Sequence, residues 1–162
     1  MRFRGRERHS VDAKGRTAMP ARFREALQEA YPARRAASLV VVPWFEPCLR
    51  VFPLPIWEEK QVQFDAQLGE DDIFGLDEGA SDFRRFVYGS AMDCQLDGQG
   101  RLLLPGDLRE HALIDREVVW MGLGPVLELW DPEQLRQRLQ VEQVARIRDR
   151  LRLRKGEVGD GG

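Results

Sequence analysis

The feature that most constrains this chain is a motif that it carries twice. Residues 11–20 read VDAKGRTAMP, and residues 96–105 read LDGQGRLLLP. The match has no gap over four identical positions, 85 residues apart: Asp12, Gly15, Arg16 and Pro20 return as Asp97, Gly100, Arg101 and Pro105. The dipeptide that follows also returns, because Arg24-Glu25 becomes Arg109-Glu110. The chain is therefore expected to fold as two related units.

The repeat continues beyond the motif at a shorter spacing of 78 residues. Pro47, Leu49, Val51 and Phe52 then correspond to Pro125, Leu127, Leu129 and Trp130. Each copy is predicted to run strand, turn, strand, short helix, strand, turn, strand. A unit of roughly 50 residues buries too little surface to be stable as an isolated domain. We therefore expect the copies to supply strands to each other about a pseudo-two-fold axis.

The repeated motif itself is typical of a tight turn between two strands. Gly15 and Gly100 are free to adopt positive φ, and the aspartates Asp12 and Asp97 can accept backbone N–H groups inside the turn. An ion pair from Asp12 to Arg16, and from Asp97 to Arg101, would fix each hairpin. The predicted structural turn motif comprises Asp12, Gly15, Asp97, Gly100 and Arg101.

Composition shifts predict the boundaries along the chain. The first repeat is expected at 1–60, an acidic connector with at most a short helix at 61–85, and the second repeat at 86–131. Apolar residues at helical spacing predict a C-terminal helix over 132–155, followed by a disordered tail at 156–162. That helix is basic, and its apolar face is expected to pack on the body. A second contact with DNA or with another subunit is the alternative.

The cations of the first repeat point to a partner. The net charge of −2 hides a basic N-terminus, in which Arg2, Arg4, Arg6 and Arg8 alternate strictly. On an extended strand these side chains share one face, and the turn would return Arg16 beside them with Lys14 at the tip. Such a ribbon is narrow enough for a DNA major groove. The candidate DNA-binding residues are Arg4, Arg6, Arg8, Lys14 and Arg16.

Two other interpretations of this basic strand stay open. The arginines are also compatible with a solvated strand, or with ion pairs to the acidic middle of a neighbouring subunit. The second copy has no cations in the residues just before Arg101. We therefore expect the first repeat to bind DNA and the second repeat mainly to support the fold.

Catalytic and metal-binding patterns are missing from the sequence. His9, His111, Cys48 and Cys94 lack ligand-type spacing, and no serine lies in a nucleophile motif. We expect no enzyme activity, cofactor, metal or small-molecule substrate. The basic N-terminus lacks the apolar core of a secretion signal, and no apolar run is long enough to cross a membrane. A cytoplasmic protein with reduced cysteines is expected.

Several stretches together resemble one known family. They are FRG at residues 3–5, KGR at residues 14–16 with the following P-A-R-F-R-E, and GSAMDCQLDGQGRLLLP at residues 89–105. These stretches look like the MraZ family of bacterial regulators, built from two AbrB-like swapped-hairpin units. The resemblance implies a mostly β chain with short helices (α+β), forming a duplicated swapped-hairpin β-barrel with a pseudo-two-fold axis and a C-terminal helix.

The resemblance also implies a function. Members are sequence-specific, nucleoid-associated transcriptional regulators that bind short promoter repeats in double-stranded DNA, upstream of division and cell-wall genes including their own. It further implies a ring-shaped homo-oligomer. The residues alone leave one alternative open, an oligomeric scaffold that binds acidic protein partners. A single-repeat AbrB-like antitoxin is disfavoured because two repeats are fused here.

Overall fold

The structure, a computed structural model, describes residues 1–69 and 77–159, with side chains described as far as residue 156. The strands in these residues are β1 (Arg6–Ser10), β2 (Arg16–Ala18), β3 (Ser38–Pro43), β4 (Cys48–Pro53), β5 (Met92–Gln95), β6 (Arg101–Leu103), β7 (Glu117–Leu123) and β8 (Val126–Trp130). The helices are α1 (Ala21–Ala30), α2 (Ala33–Ala36), α3 (Leu54–Leu68), α4 (Glu78–Val87), α5 (Gly106–His111), α6 (Pro132–Arg138) and α7 (Val141–Gly159). The α+β class is confirmed, although helices hold more of the described residues than strands do.

The two halves of the chain exchange strands within one six-stranded antiparallel sheet of order β1-β7-β8-β4-β3-β5. Strand β1 of the first repeat pairs with β7 of the second, and Arg8 lies opposite Val119. In the same way β5 of the second repeat pairs with β3 of the first, and Cys94 lies opposite Leu39. These two pairings confirm the predicted swapped hairpins and the duplicated fold.

Strands β2 and β6 form a separate two-stranded sheet. The turn before β2 is closed by a 2.9 Å hydrogen bond from the Asp12 amide to the Arg16 carbonyl, but beyond it β1 and β2 enter different sheets. The predicted β1–β2 ribbon is therefore not a pair of strands bonded to each other, because β1 pairs with β7 and β2 with β6, both in the other repeat. The described strands form two sheets, and closure into a single barrel is not seen among them.

The main core lies between the six-stranded sheet and the layer formed by β2, β6, α1 and α5. Alternate residues of each strand reach it, as expected for a sheet with one face on the core. Leu49 of β4 and Leu127 and Leu129 of β8 are fully buried there. Trp120 of β7 is also fully buried, and its indole Nε1 donates to Thr17 Oγ1 at 3.3 Å. This hydrogen bond links the two sheets.

The opposite face of the large sheet is covered in two places. Helices α3 and α4 pack on the first half through an apolar cluster that includes Phe52, Trp57 and Val87. Helix α6 packs on the second half, where Leu135 lies beside Cys48 and Trp130. The region 61–85, predicted as a connector with at most a short helix, thus begins within α3, which has 15 residues, and ends within α4, which has 10.

The C-terminal region differs from the single packed helix that the sequence predicts. The chain leaves helical geometry at Leu139 and then begins α7, so two helices replace one. The large apolar residues of α7 as far as Leu153 remain exposed; for example, Val144 and Leu151 are 50% and 57% accessible. Helix α7 extends to Gly159, and residues 160–162 of the predicted tail lie outside the described residues. Residues 70–76 of the predicted acidic connector lie outside them as well.

The strand exchange predicts that the two repeats unfold together. Leu49→Ala and Leu127→Ala, at equivalent positions of the two repeats, should each lower the free energy of unfolding by about 2–5 kcal/mol. Both should do so in a single transition, because both side chains pack in the same core. Urea unfolding at fixed protein concentration, followed by tryptophan fluorescence and circular dichroism, measures this.

The matched control is Leu153→Ala, since Leu153 is 70% exposed and its loss should change stability by less than about 0.5 kcal/mol. Two separate unfolding transitions, or a loss confined to one half, would contradict a shared core.

Candidate nucleic-acid interface

Arg6 and Arg8 lie on an edge strand of the large sheet. Strand β1 is the outermost strand and pairs only with β7 among the described residues. Arg6 and Arg8 are exposed and line one shallow groove together with Leu135 and Arg136 of α6. As alternate residues of β1, these two arginines share one face, whereas Arg2 and Arg4 of the predicted row lie outside the strand. Glu7 lines the same groove. Arg4 lies just before this strand, ahead of Gly5, whose φ is +81°.

The cations at this edge differ in how far other side chains engage them. Arg8 forms an exposed ion pair with Glu117 at 3.7 Å. Arg4, Arg6 and Lys14 form no ion pair within the part of the chain that the structure describes. Exposed pairs contribute little to stability, so even Arg8 can exchange its partner. This strand therefore presents cations that the fold does not neutralise.

The turn that follows β1 is held by one aspartate. Asp12 Oδ1 accepts from the amides of Lys14 at 3.0 Å and Arg16 at 2.9 Å, and Oδ2 accepts from Arg16 Nε at 2.8 Å. Gly15 has φ +87°, and a Cβ there would lie 2.8 Å from the Leu104 carbonyl oxygen. Both the conformation and the close approach require glycine.

The second copy of the turn has the same geometry. Asp97 Oδ1 accepts from the amides of Gln99 and Arg101 at 2.9 Å each, and Oδ2 accepts from Arg101 Nε at 2.8 Å. Gly100 has φ +75°. Arg16 thus fixes its turn in the same way as Arg101, and only its position next to β1 and Lys14 distinguishes it.

The two aspartates are more acidic than usual for the same reason. The hydrogen bond from the backbone of Arg16, with further help from its guanidinium, lowers the pKa of Asp12 below the ordinary 3.8. The hydrogen bond from the backbone of Arg101 lowers the pKa of Asp97 likewise. Both carboxylates stay ionised at neutral pH, and both turns are therefore locked there.

An arginine from the other repeat also lies over each turn. Arg109 Nε donates to the Leu104 carbonyl at 3.1 Å, and its guanidinium passes close to Gly15. In the pseudo-symmetric position the side chain of Arg24 passes over Gly100. The sequence shows these arginines as part of the repeat, but it does not show that they cross between halves. The groove residue Arg136 was likewise missed, and only the general basicity of the C-terminal region hinted at it.

The histidines and cysteines do not come together as a metal site in the part of the chain that the structure describes. No group of three or more His, Cys, Asp or Glu side chains is placed to hold a metal ion among the described residues. His111 Nε2 lies 2.8 Å from the Trp44 carbonyl oxygen, inside the fold. None of the helices in the described ranges has both the length and the apolar content needed to span a bilayer.

These features define a class of protein: a duplicated swapped-hairpin chain with one cationic edge. The family described as "MraZ protein, putative antitoxin-like" matches residues 2–73 and 87–154. A relative from Azotobacter vinelandii named "Transcriptional regulator MraZ" is 40% identical over 81% of this chain and 80% of its own length. Relatives of the same name from Pseudomonas aeruginosa and Leuconostoc mesenteroides are 40% and 35% identical, each over 81% of this chain and over 81% and 82% of their own lengths. The chain belongs to the MraZ family.

The turn aspartates predict a specific loss of stability in acid. Because their folded-state pKa values are lowered, they stabilise the fold above the ordinary value of 3.8, and this contribution disappears as the pH falls through the lowered values. Asp12→Asn/Asp97→Asn should therefore be less stable than the native chain at neutral pH but lose less on acidification from about pH 5 to pH 3. Urea midpoints across this range measure the difference.

Glu29→Gln is the control for an ordinary surface carboxylate, since Glu29 is exposed on α1 and forms no ion pair or turn hydrogen bond among the described residues. If the double aspartate variant and the native chain lose stability in parallel as the pH falls, the turn carboxylates do not carry the effect.

Proposed function

We propose that this chain is a transcriptional regulator that binds double-stranded DNA through the cationic edge formed by β1 and the turn after it. The observation that carries the proposal is the exposed row of β1, on which Arg6 has no ion pair among the described residues and Arg8 has only a weak one. The name "Transcriptional regulator MraZ" of the relatives supports it.

The proposed contact surface consists of Arg4, Arg6, Arg8, Lys14 and Arg16. Guanidinium groups can contact phosphates, which position the protein, or guanine edges, which specify sequence. Arg6 lies within β1 and is not held by a carboxylate, so we assign it to base contact. Arg8 is paired with Glu117, and the Nε of Arg16 donates to Asp12. Because a carboxylate already engages each guanidinium, we assign both arginines to phosphate contacts.

One edge strand reaches only a few base pairs, which limits what a single copy can recognise. Useful affinity then requires several copies to bind repeated short sites at once, because linked weak contacts multiply through effective concentration. We therefore propose that the target is a series of short promoter repeats. The resemblance to the MraZ family implies that these lie upstream of division and cell-wall genes, including the chain's own. A regulator of this kind acts in the cytoplasm, in association with the nucleoid.

The same requirement leads us to propose a closed, ring-shaped homo-oligomer. Strands β1 and β5 are the two outer strands of the large sheet and are unlike, since β1 is cationic and β5 carries the exposed Asp93. Phe45 is 60% exposed in the β3–β4 turn. Helix α7 adds a stripe of exposed Val144, Ile147 and Leu151 between arginines. Unlike surfaces favour head-to-tail contacts, and such contacts close into rings when the rotation permits.

The DNA contact is tested first at Arg6. Arg6→Ala should reduce the preference for DNA from upstream of the chain's own gene over scrambled DNA by ~1–3 kcal/mol, with little change on scrambled DNA. Arg8→Ala should instead weaken both and lower the salt slope by about one unit per contact per engaged subunit. Fluorescence anisotropy titrations on both DNAs at two salt concentrations measure these effects.

Arg16→Ala and Arg101→Ala form a matched control pair, because the two turns are alike in geometry. Both should lose similar stability, but only Arg16→Ala should lose DNA affinity. Equal affinities for all variants, or no binding by the native chain at moderate salt, would contradict the proposal and favour a scaffold that binds acidic proteins.

The oligomer is tested by mass. Light scattering at micromolar concentration should return a defined multiple of 18.7 kDa. Ile147→Glu, which places a charge in the α7 stripe, should lower that mass if α7 is part of the contact, whereas Arg34→Glu on α2 should leave it unchanged. A monomer mass for the native chain would contradict the ring.

A further inference from the structure

The pseudo-two-fold axis passes through two residue pairs that are each other's counterparts in the repeat. In the two-stranded sheet Thr17 lies opposite Leu102, and these are equivalent positions of the repeated motif. In the large sheet Arg50 of β4 lies opposite Glu128 of β8, again at equivalent positions, because Leu49 and Val51 correspond to Leu127 and Leu129. Residues on this axis are the only ones that would face themselves if two identical repeats paired.

At the second of these positions the repeats carry opposite charges. The Arg50 Nε lies 3.2 Å from Glu128 Oε2, and the two side chains are 26% and 8% exposed. Pairing of two first repeats would instead place an arginine against an arginine, and pairing of two second repeats a buried glutamate against a glutamate. Like charges taken out of water without a partner are strongly unfavourable.

Three side chains donate hydrogen bonds to the Glu128 carboxylate. Its Oε1 accepts from Trp130 Nε1 at 3.0 Å, and its Oε2 accepts from Cys48 Sγ at 3.7 Å as well as from Arg50. Burial is the main reason that the pKa of the Cys48 thiol is raised, and the nearby Glu128 carboxylate raises it further. The thiol therefore keeps its proton and can donate it.

Arg50 is positioned from its own side of the axis. Its guanidinium carbon lies 3.9 Å from the ring centroid of Trp44, a cation–π contact. The aromatic residue, the carboxylate and the strand register together fix one geometry for the arginine. A carboxylate at position 50 would lose the ring contact and would meet Glu128 directly.

We infer that the Arg50–Glu128 pair selects the partner of each repeat: β4 accepts β8 and rejects a second β4, and β8 accepts β4 and rejects a second β8. The interface between repeats thus fits only an unlike repeat. A charge that repels the wrong partner as well as attracting the right one is an efficient source of specificity. Copies of this chain then cannot associate by pairing like repeats. This inference does not depend on DNA binding.

The experiment compares full-length Arg50→Met, Arg50→Glu and Arg50→Glu/Glu128→Arg with the native chain. Urea midpoints are measured, together with the reactivity of the buried Cys48 thiol. The pair at the axis predicts that Arg50→Glu has a lower midpoint than Arg50→Met, because like charges then face each other. It also predicts a more reactive thiol, because their repulsion opens the interface around Cys48 to the reagent. The double variant, in which opposite charges face again, should recover to at least the midpoint of Arg50→Met.

Arg85→Glu is the control, since it brings like charges together at the exposed Asp82–Arg85 pair and should leave the midpoint nearly unchanged. Equal midpoints for Arg50→Met and Arg50→Glu would overturn the exclusion of like repeats. A double variant no better than Arg50→Glu would overturn it as well. If Arg50→Glu does not fold, folding of the double variant supports the inference, and its failure while Arg50→Met folds refutes it.

Discussion

Without the pairing of β1 with β7 and of β5 with β3, neither repeat of this chain has a complete sheet. Each repeat contributes two adjacent central strands and sends a hairpin arm to the edge of the other half. The second strand of each arm, β2 or β6, covers the main core on the side opposite the large sheet. Consequently the core, the two locked turns and the cationic edge all depend on contacts between repeats. The turn motif recurs because each arm must reverse direction at the place where it crosses.

The sequence predicts the parts of this arrangement that follow from local chemistry. Asp12 and Gly15 indicate the turn, the spacing of arginines indicates a shared face, and the small size of each repeat indicates exchange. It does not identify strand partners, because alternation specifies which face is buried and not what lies beside a strand. The β1–β2 ribbon was mispredicted for that reason. The sequence does contain a start signal for helix α4, the N-cap residue Asp77, which accepts from the amides of Gly79 and Ala80. It was overlooked because Asp77 lies in an acidic stretch that was interpreted as a connector.

In the candidate interface, too, local sequence patterns predict some features and miss the contacts between distant segments. Alternation places Arg6 and Arg8 together, and the structure has them in one groove. The nearby Arg136 comes from a helix more than a hundred residues away in sequence, so no local pattern could place it there. The apolar spacing of α7 correctly indicates a stripe, yet spacing alone cannot say whether a stripe packs within its own chain. Here the described contacts leave it exposed.

The charge difference between the repeats gives each chain a direction. A dimer of identical swapped-hairpin units has two equal edges related by a true dyad, and such a protein matches a palindrome. In this chain the dyad survives in the backbone, but only one outer strand of the sheet bears the arginine row, whereas the other bears Met92 and Asp93. A surface without a dyad has polarity. If β1 contacts DNA, successive copies would therefore match elements that all point the same way along the duplex, rather than inverted pairs.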